Sequence, residues 1–520
     1  MSTSYRSPLI ATGVVVYVAL LATVYLAVLH RTQGHYTAPQ DDPYIHLALA
    51  ENIARGHYGI NTADFSSPSS SMVWPLLLSV LAPTTLGIYA ALFYGVVASL
   101  WAIFLLALIL DEWPRAVFAT RSRQIVAMIA FVLLANLVGL TLLGMEHTLQ
   151  VALAIACAAG ICRAINGRVM PWWSIAAAAL APWVRYEDFT LTLAVGLILL
   201  FQARRAVALA MTLGAVVPLV VFSLFLKYLG LPILPVSVLV KSGTSFGHQS
   251  ALTRAAEVIK RGVIDLSIFP THWPLLLIFV GLLVIAWCET PGIRRTVAVA
   301  VAIACALHLV IGRFGWFYRY EVYIVIFATL VFLRLLLERI HPAFPLYLLG
   351  AIALSSIYLR ALWETPIAAG GIYGQQYQMH RFITDYYHGS VAVNDLGEVS
   401  FRHGDGYVLD LFGLASIEAA RHLHNDPVWT AAMVREHHVG LVMVYPAMFG
   451  IPGAWDKVGE LCLKQAVKEI AAPCVNFYSA RPEATAALRK EFQLFARTLP
   501  PQSIARTCPL ENPGTKSSSD

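Results

Sequence analysis

The chain has 520 residues, 58% of them hydrophobic and 13% charged, with seven cysteines and a formal net charge of +6. Its mean hydropathy is +0.67. Soluble domains are near half apolar and a quarter charged, so these values exclude a soluble enzyme and indicate an α-helical polytopic membrane protein. The basic residues fall in short connections between apolar runs, a placement that follows membrane topology and not a nucleic-acid footprint.

The first apolar run, 8–29, follows Arg6. It is long enough to span and no small-residue cleavage site follows it convincingly, so it reads as an uncleaved helix. An outer loop, 30–72, comes next and contains "QDDPYIHLALAENIARGHYG" (40–59). Further spans are expected near 86–110, 124–143, 148–163, 171–184, 189–203, 206–229, 270–288, 296–312, 320–337 and 343–362, about eleven in all. With the N-terminus inside, the short inner connections hold Arg115, Arg121 and Arg123; Arg163 and Arg168; Arg204 and Arg205; Arg294 and Arg295; and Arg334 and Arg339. Each inner connection has at least two arginines, as the positive-inside rule requires. Most acids then face outward, among them Asp41, Asp42, Glu146, Glu187, Asp188, Glu257, Asp265 and Glu321.

From 364 the composition is that of a soluble domain, ending near 508, with a polar tail at 509–520 that reads as disordered. "SVAVND" (390–395), "GYVLDLFG" (406–413), "VGLVMVYP" (439–446) and "NFYSA" (476–480) predict strands. "VWTAAMVREHH" (428–438) and "PEATAALRKEFQLFA" (482–496) predict helices, so the segment is a small α/β domain. An odd number of spans puts it on the outer side. Cys157, Cys162, Cys288 and Cys305 belong to apolar runs and act as small hydrophobes. Cys462, Cys474 and Cys508 lie in the outer domain, where Cys462 could pair with Cys474; free thiols are the open alternative.

Five stretches place charge at the outer ends of spans: the Asp-Asp loop, "LLGMEHTLQ" (142–150), "WVRYEDF" (183–189), "YLGLPILPVSVLVKSG" (228–243) and "GRFGWFYRYEVY" (312–323). Ionisable groups held at membrane depth are expensive and mark a site by default. Each stretch also has a plain structural reading. Asp42 before Pro43, with Gly56 beyond, fits the N-cap and C′ pattern of a short helix over 43–54. That motif gives Asp41 no task, and a carboxylate there could act as a general base toward a sugar hydroxyl. Glu146 could be a turn residue, and Arg185 with Glu187 a local ion pair. Lys241 follows Pro232 and Pro235, which break helical register; it either meets a phosphate or snorkels to the interface. An aromatic belt explains the rings around Arg319 and Glu321, but not the arginine. His35, His46 and His57 share the first outer loop, and Asp42 and His46 are four apart. A divalent cation on Asp41, Asp42 and His46 is therefore conceivable, although a side-chain hydrogen bond is the commoner use of that spacing. No HExxH, GxSxG, P-loop or dinucleotide fingerprint is present, which leaves hydrolase and ATPase readings without support.

Four of these stretches and one in the C-terminal domain resemble, in order, motifs of the GT-C superfamily of membrane glycosyltransferases, which use polyprenyl-phosphate-linked sugars. Within it they are most similar to the mycobacterial terminal arabinofuranosyltransferase-like group. The matching stretches are "DDPYI" (41–45), "GMEHTL" (144–149), "VRYEDF" (184–189), "YLGLPILPVSVLVK" (228–241) and "NDLGEVSF…VLDLFGLAS" (394–416). Tyr186, Val236 and the serines of "SSPSSSMVWPLLL" (66–78) depart from the group's pattern. The resemblance implies a GT-C-like transmembrane domain over 1–363 and an outer domain that covers the cavity and binds acceptor. It implies sugar transfer to a glycan, lipid or protein hydroxyl at the outer face of a bacterial inner membrane. Asp41 would be the base, with Asp42 beside it. Lys241, Arg319 and Arg185 would clamp phosphate and sugar, and Glu146, Glu187 and Glu321 would hold hydroxyls or orient those cations. The rival class is a transporter or lipid-linked sugar flippase; such proteins show inverted repeats and midplane sites, neither of which is visible here.

Overall fold

The computed structural model describes residues 6–113, 120–241, 256, 259–260, 263–264, 272–337, 344–404, 406–422 and 425–509. Arg115, Glu257, Asp265, Arg339 and the tail from 510 lie outside the described residues.

The apolar runs form α1 (Arg6–Arg31), α4 (Ala90–Glu112), α5 (Arg121–Leu134), α6 (Leu137–Leu143), α7 (His147–Ile165), α8 (Trp172–Val184), α9 (Phe189–Phe201) and α10 (Arg205–Tyr228). After the short α11 (Val236–Lys241) come α12 (His272–Cys288), α13 (Ile293–Ile311), α14 (Val322–Leu336) and α15 (Phe344–Gly374). Among the described residues, six helical stretches are long and apolar enough to cross a membrane: 7–31, 87–112, 121–143, 147–165, 205–228 and 293–311. This is a multi-pass membrane protein. The span expected over 124–143 lies within the stretch 121–143, where Asn136 interrupts the helix between α5 and α6 by adopting the left-handed conformation (φ +48°). A short polar side chain tolerates that conformation better than its apolar neighbours would.

The C-terminal part, which the arginine pattern of the sequence assigns to the outer side, has a six-stranded mixed sheet in the order β2-β1-β3-β5-β4-β6. The strands are β1 (Val391–Val393), β2 (Val408–Asp410), β3 (Leu441–Val444), β4 (Asp456–Leu463), β5 (Cys474–Ser479) and β6 (Ser503–Thr507). β1 pairs in parallel with β2 and β3, and the other neighbours pair antiparallel. Flanking helices are α16 (Gln376–Asp385), α17 (Gly397–Ser400), α18 (Ile417–Arg421), α19 (Pro427–Glu436) and α20 (Thr485–Ala496). All four expected strands and both expected helices are present. β4 and β6 were not visible in the sequence.

Strand alternation sorts the core. Val391, Val393, Leu441 and Met443 face one side; Ala392, Val442 and Val444 face the other with Leu409, Met433 and Val434. On the first side the sheet shares its core with the outer loop: Tyr44, Ile45, Leu49, Trp74 and Leu78 pack with Val399, Phe401, Val408 and Phe477. These loop residues come from α2 (Asp42–Ala54) and α3 (Val73–Leu78). α2 is thus embedded between the helical bundle and the sheet. α15 continues unbroken from 344 to 374, so the change of composition near 363 falls inside a helix. Gly371 and Gly374 let the outer domain approach it: a Cβ on Gly371 would lie 2.7 Å from Ile470, and one on Gly374 2.7 Å from Leu463.

Cys462 and Cys474 form a disulfide across adjacent positions of β4 and β5, closing a loop of sequence separation 12. Closing a loop of that size is worth about 3 kcal/mol in the chain-entropy account. Replacing both cysteines by serine should lower the thermal midpoint of the outer domain, and reductant should do the same to the wild type while leaving the variant unmoved.

Candidate active site

α2 begins one residue earlier than the sequence suggests. Asp41 occupies the cap position with near-helical angles (φ −78°, ψ −32°) and makes no side-chain cap, and Asp42 is the first helical residue. The expected C-terminal pattern does hold. Gly56 takes φ +82°, its N–H bonds to the Ile53 carbonyl and that of His57 to the Asn52 carbonyl, the Schellman arrangement.

The two carboxylates face different parts of the protein. Asp42 Oδ2 accepts from Arg319 Nη2 at 2.5 Å and lies 3.4 Å from Lys241 Nζ. This corrects the capping role: two cations hold the carboxylate more strongly than a backbone N–H could. Asp41 turns to the outer domain, where its oxygens accept from the N–H groups of Gly397 (2.6 Å) and Glu398 (2.8 Å), the start of α17. Only glycine fits at 397, since a Cβ there would lie 2.0 Å from the Asp41 carbonyl oxygen.

Arg319 is 2% exposed. It also donates to Gln40 Oε1, Met145 Sδ (2.9 Å) and the Tyr320 hydroxyl (2.9 Å). It is presented by a run of left-handed residues, Gly315, Trp316, Phe317 and Tyr318, with φ between +49° and +89°. Non-glycine residues disfavour this region by roughly 1–2 kcal/mol each, strain of the kind that concentrates at functional sites. Glu321 Oε2 accepts the Gly315 N–H at 3.2 Å and braces that turn, so its visible task is to position Arg319.

A second layer lies behind. Glu146 Oε1 accepts from Arg185 Nη1 at 2.7 Å, and Glu187 receives Nη2 (2.8 Å) and Nε (3.3 Å) of the same guanidinium. The Tyr320 ring lies between the two arginines, 5.1 Å from Arg185 and 4.9 Å from Arg319. Seven of the expected site residues, Asp42, Glu146, Arg185, Glu187, Lys241, Arg319 and His46, therefore form one connected cluster, with Asp41 next to it in the chain.

The serine-rich stretch, a departure from the family pattern, turns out to be scaffold. Ser67 Oγ accepts the Val236 N–H at 3.1 Å and so docks α11, which carries Lys241. Ser69 Oγ lies 3.0 Å from His46 Nδ1, Ser70 Oγ accepts from Arg185 at 3.4 Å, and Ser71 Oγ accepts the Trp74 N–H at 3.1 Å. Sequence reasoning missed these serines, Gln40 and Tyr320. It also missed Asp395, whose Oδ2 accepts from Tyr445 (2.5 Å) and Gln376 (2.7 Å). "NDLGEVSF" was the available signal for Asp395.

Asp41, Asp42 and His46 are not gathered around one point as ligands of a divalent cation would be. The Ser69 hydroxyl gives its one proton to the Ser71 carbonyl (2.8 Å), so His46 Nδ1 must be the donor toward it. His46 Nε2 faces Glu146 Oε2 at 3.7 Å. Asp42 is taken by cations and Asp41 by amides, and among the described residues no group of three His, Cys, Asp or Glu is arranged to hold a metal.

The electrostatics separate the two aspartates. Burial pushes the Asp41 carboxyl up to about 8, helped by the facing Asp395; the two amide hydrogen bonds act in the opposite direction but are outweighed. Asp42 lies below the usual carboxylate range: burial opposes this, but Lys241 and Arg319 prevail. Burial lowers His46 to about 4, keeping it neutral.

A family described as "Domain of unknown function (DUF8728)" matches residues 367–478, from the last turns of α15 to β5. No curated protein matches the sequence. Two solved structures of the Archaeoglobus fulgidus oligosaccharyltransferase are similar. One is a complex with Zn and sulfate (TM-score 0.45, 13% identity, covering 82% of this chain and 67% of that one). The other is AglB with an inhibitory peptide and a dolichol-phosphate (TM-score 0.41, 10% identity, 82% and 69%). At those TM-scores neither likeness decides the fold or the chemistry of this chain.

A carboxyl whose folded pKa is raised stabilises the fold fully below its unfolded value near 4, and that contribution is lost as pH rises through the folded value. Asp41, Asp395 and Glu398 are all raised, each chiefly by burial. The α2–α17 contact should therefore loosen between about pH 4 and 8. Hydrogen exchange at the 397 and 398 amides, corrected for intrinsic rates, should show protection falling across that window; constant or rising protection would contradict the assignment. Gly397→Ala should loosen the same contact at every pH, by about 1–3 kcal/mol.

Proposed function

We propose that this protein is a membrane glycosyltransferase of the GT-C class that moves a sugar from a polyprenyl-phosphate donor to an acceptor hydroxyl at the outer face of the membrane. One observation carries the reading: adjacent aspartates at the start of α2 face opposite ways, one onto cations and one toward the outer domain. A transferase needs that pairing, a base for the acceptor next to positive charge for the departing phosphate.

Asp41 is the base. Its raised pKa suits proton acceptance near neutrality, and each of its oxygens keeps a lone pair beside its amide bond. The acceptor oxygen attacks the anomeric carbon as its proton passes to Asp41, and the bond from that carbon to the phosphate oxygen breaks. The lipid phosphate leaves with the electron pair. Lys241, held at 3.4 Å from Asp42 and 21% exposed, is free enough to swing to it; Arg319, fixed behind, supplies a stationary charge. Glu146 and Glu187 orient Arg185 and offer acceptors to sugar hydroxyls. The energy comes from the lipid-phosphate bond, so no nucleotide is required.

The acceptor approaches along the seam between α2 and the outer domain. There a cavity of about 650 Å³ is lined by Glu51, Asn52, Arg55, Asn61, His403 and Tyr407, among others. Asn61 fastens its floor, pairing with both the N–H and the carbonyl of Val408 (2.9 and 3.0 Å). Eleven spans, an N-terminus inside and a bacterial inner membrane complete the proposal. The resemblance to arabinofuranosyltransferases makes a pentosyl donor the first to try.

The test is transfer of label from polyprenyl-phosphate sugars to envelope acceptors by purified protein. Asp41→Asn should remain folded and lose at least a hundredfold in kcat, while Lys241→Ala should mainly raise KM for the donor. Wild-type turnover by Asp41→Asn would refute the base assignment. Label entering liposomes with no new glycan would favour a transporter.

A further inference from the structure

The end of the bundle opposite the aspartates carries a second built feature. α7 starts at His147 beside the site and reaches Arg163 about 25 Å away, at 1.5 Å per residue, close to the thickness of a hydrocarbon core. There Glu112, at the end of α4, gathers Arg163 (3.0 Å) and Arg168 (2.8 Å). Asn166 donates to the Glu112 carbonyl at 3.0 Å and accepts from Arg334. The acid lies beneath, 10% exposed, and the two guanidiniums lie above it, 36% and 56% exposed. Arg163 Nε is buried with no hydrogen-bond partner among the described residues. Even counting Asp111, the guanidiniums outnumber the carboxylates.

A groove of about 450 Å³ runs from this cluster into the membrane layer. One wall is the α4 stripe Trp101, Phe104, Leu105 and Leu108, at i, i+3, i+4 and i+7 spacing; the other is Trp173 of α8. Its floor is Ala159 of α7, whose small side chain leaves the depression. A charged head above an apolar slot of this kind matches an amphiphile with an anionic headgroup. The surrounding connections are arginine-rich, the mark of the leaflet that holds anionic lipids.

We propose that this groove binds one anionic phospholipid, with its phosphate on Arg163 and Arg168 and an acyl chain between Trp101, Phe104 and Trp173. Glu112 does not oppose the lipid; it fixes the two guanidiniums so that their outer edges face the headgroup. The site is independent of the transfer reaction and holds whatever the catalytic activity proves to be.

The test is native mass spectrometry of the purified full chain with phosphatidylglycerol and phosphatidylcholine of identical acyl composition. Wild type should retain phosphatidylglycerol about thirty-fold better, as two surface arginines imply. Arg163→Gln with Arg168→Gln should abolish the preference. Arg168→Gln alone leaves the Arg163–Glu112 contact in place and should lose several-fold, which keeps the test valid if the double variant unfolds. Equal retention of the two lipids, or an unchanged preference in the folded single variant, overturns the proposal. Displacement of phosphatidylglycerol by millimolar inorganic phosphate alone would also overturn it, by showing a free-anion site.

Discussion

The Asp42–Arg319 contact is the constraint around which the outer face is arranged. A guanidinium that is 2% exposed is tolerable only if its charge and most of its donors are met, and Asp42, Gln40, Met145 and Tyr320 meet those of both Nη atoms. These partners come from the first outer loop, the α6–α7 turn and the loop before α14, segments far apart in the chain. The left-handed run before Arg319 then has a physical rationale: it aims a long side chain inward from a loop that would otherwise direct it to the interface. Asp42 cannot serve as a helix cap while it serves here, and α2 starts one residue early as a result.

Serines at 66–71 solve a related problem. α2, α11 and Arg185 must all approach one another in a nearly dry region, where every unmatched N–H costs about 1–3 kcal/mol. Small hydroxyls donate and accept without occupying much volume, so one strand of chain ties His46, Arg185, Val236 and Trp74 in place.

How much of this was legible beforehand follows from what each signal encodes. Hydropathy marks burial in lipid, so the helical runs were readable, as were β1, β2, β3 and β5, whose alternation is strongly apolar. β6, with largely exposed residues, and β4, with Asp456, Lys457 and Glu460, lack that contrast. The cluster's membership was readable because charge at membrane depth is rare. Roles within it were not, because two adjacent aspartates look alike in sequence and only the tertiary partners decide which way each points. α2 illustrates the same limit: it is buried from Pro43 to Asn52, so it has no polar face from which its position could be inferred.

The two faces of the Asp41–Asp42 pair also couple the domains. Asp42 is fixed by the membrane bundle through Arg319, and Asp41 by the outer sheet through Gly397 and Glu398. One peptide bond joins them, so the outer domain cannot shift by even an ångström without dragging on the carboxylate that faces it. Two further clamps at the other end of α2, Glu51 with Arg402 and Asn61 with Val408, prevent the helix from pivoting instead. Seating of the outer domain and orientation of the Asp41 carboxylate are therefore one event. A carboxyl with a raised pKa at the joint makes that event sensitive to proton concentration.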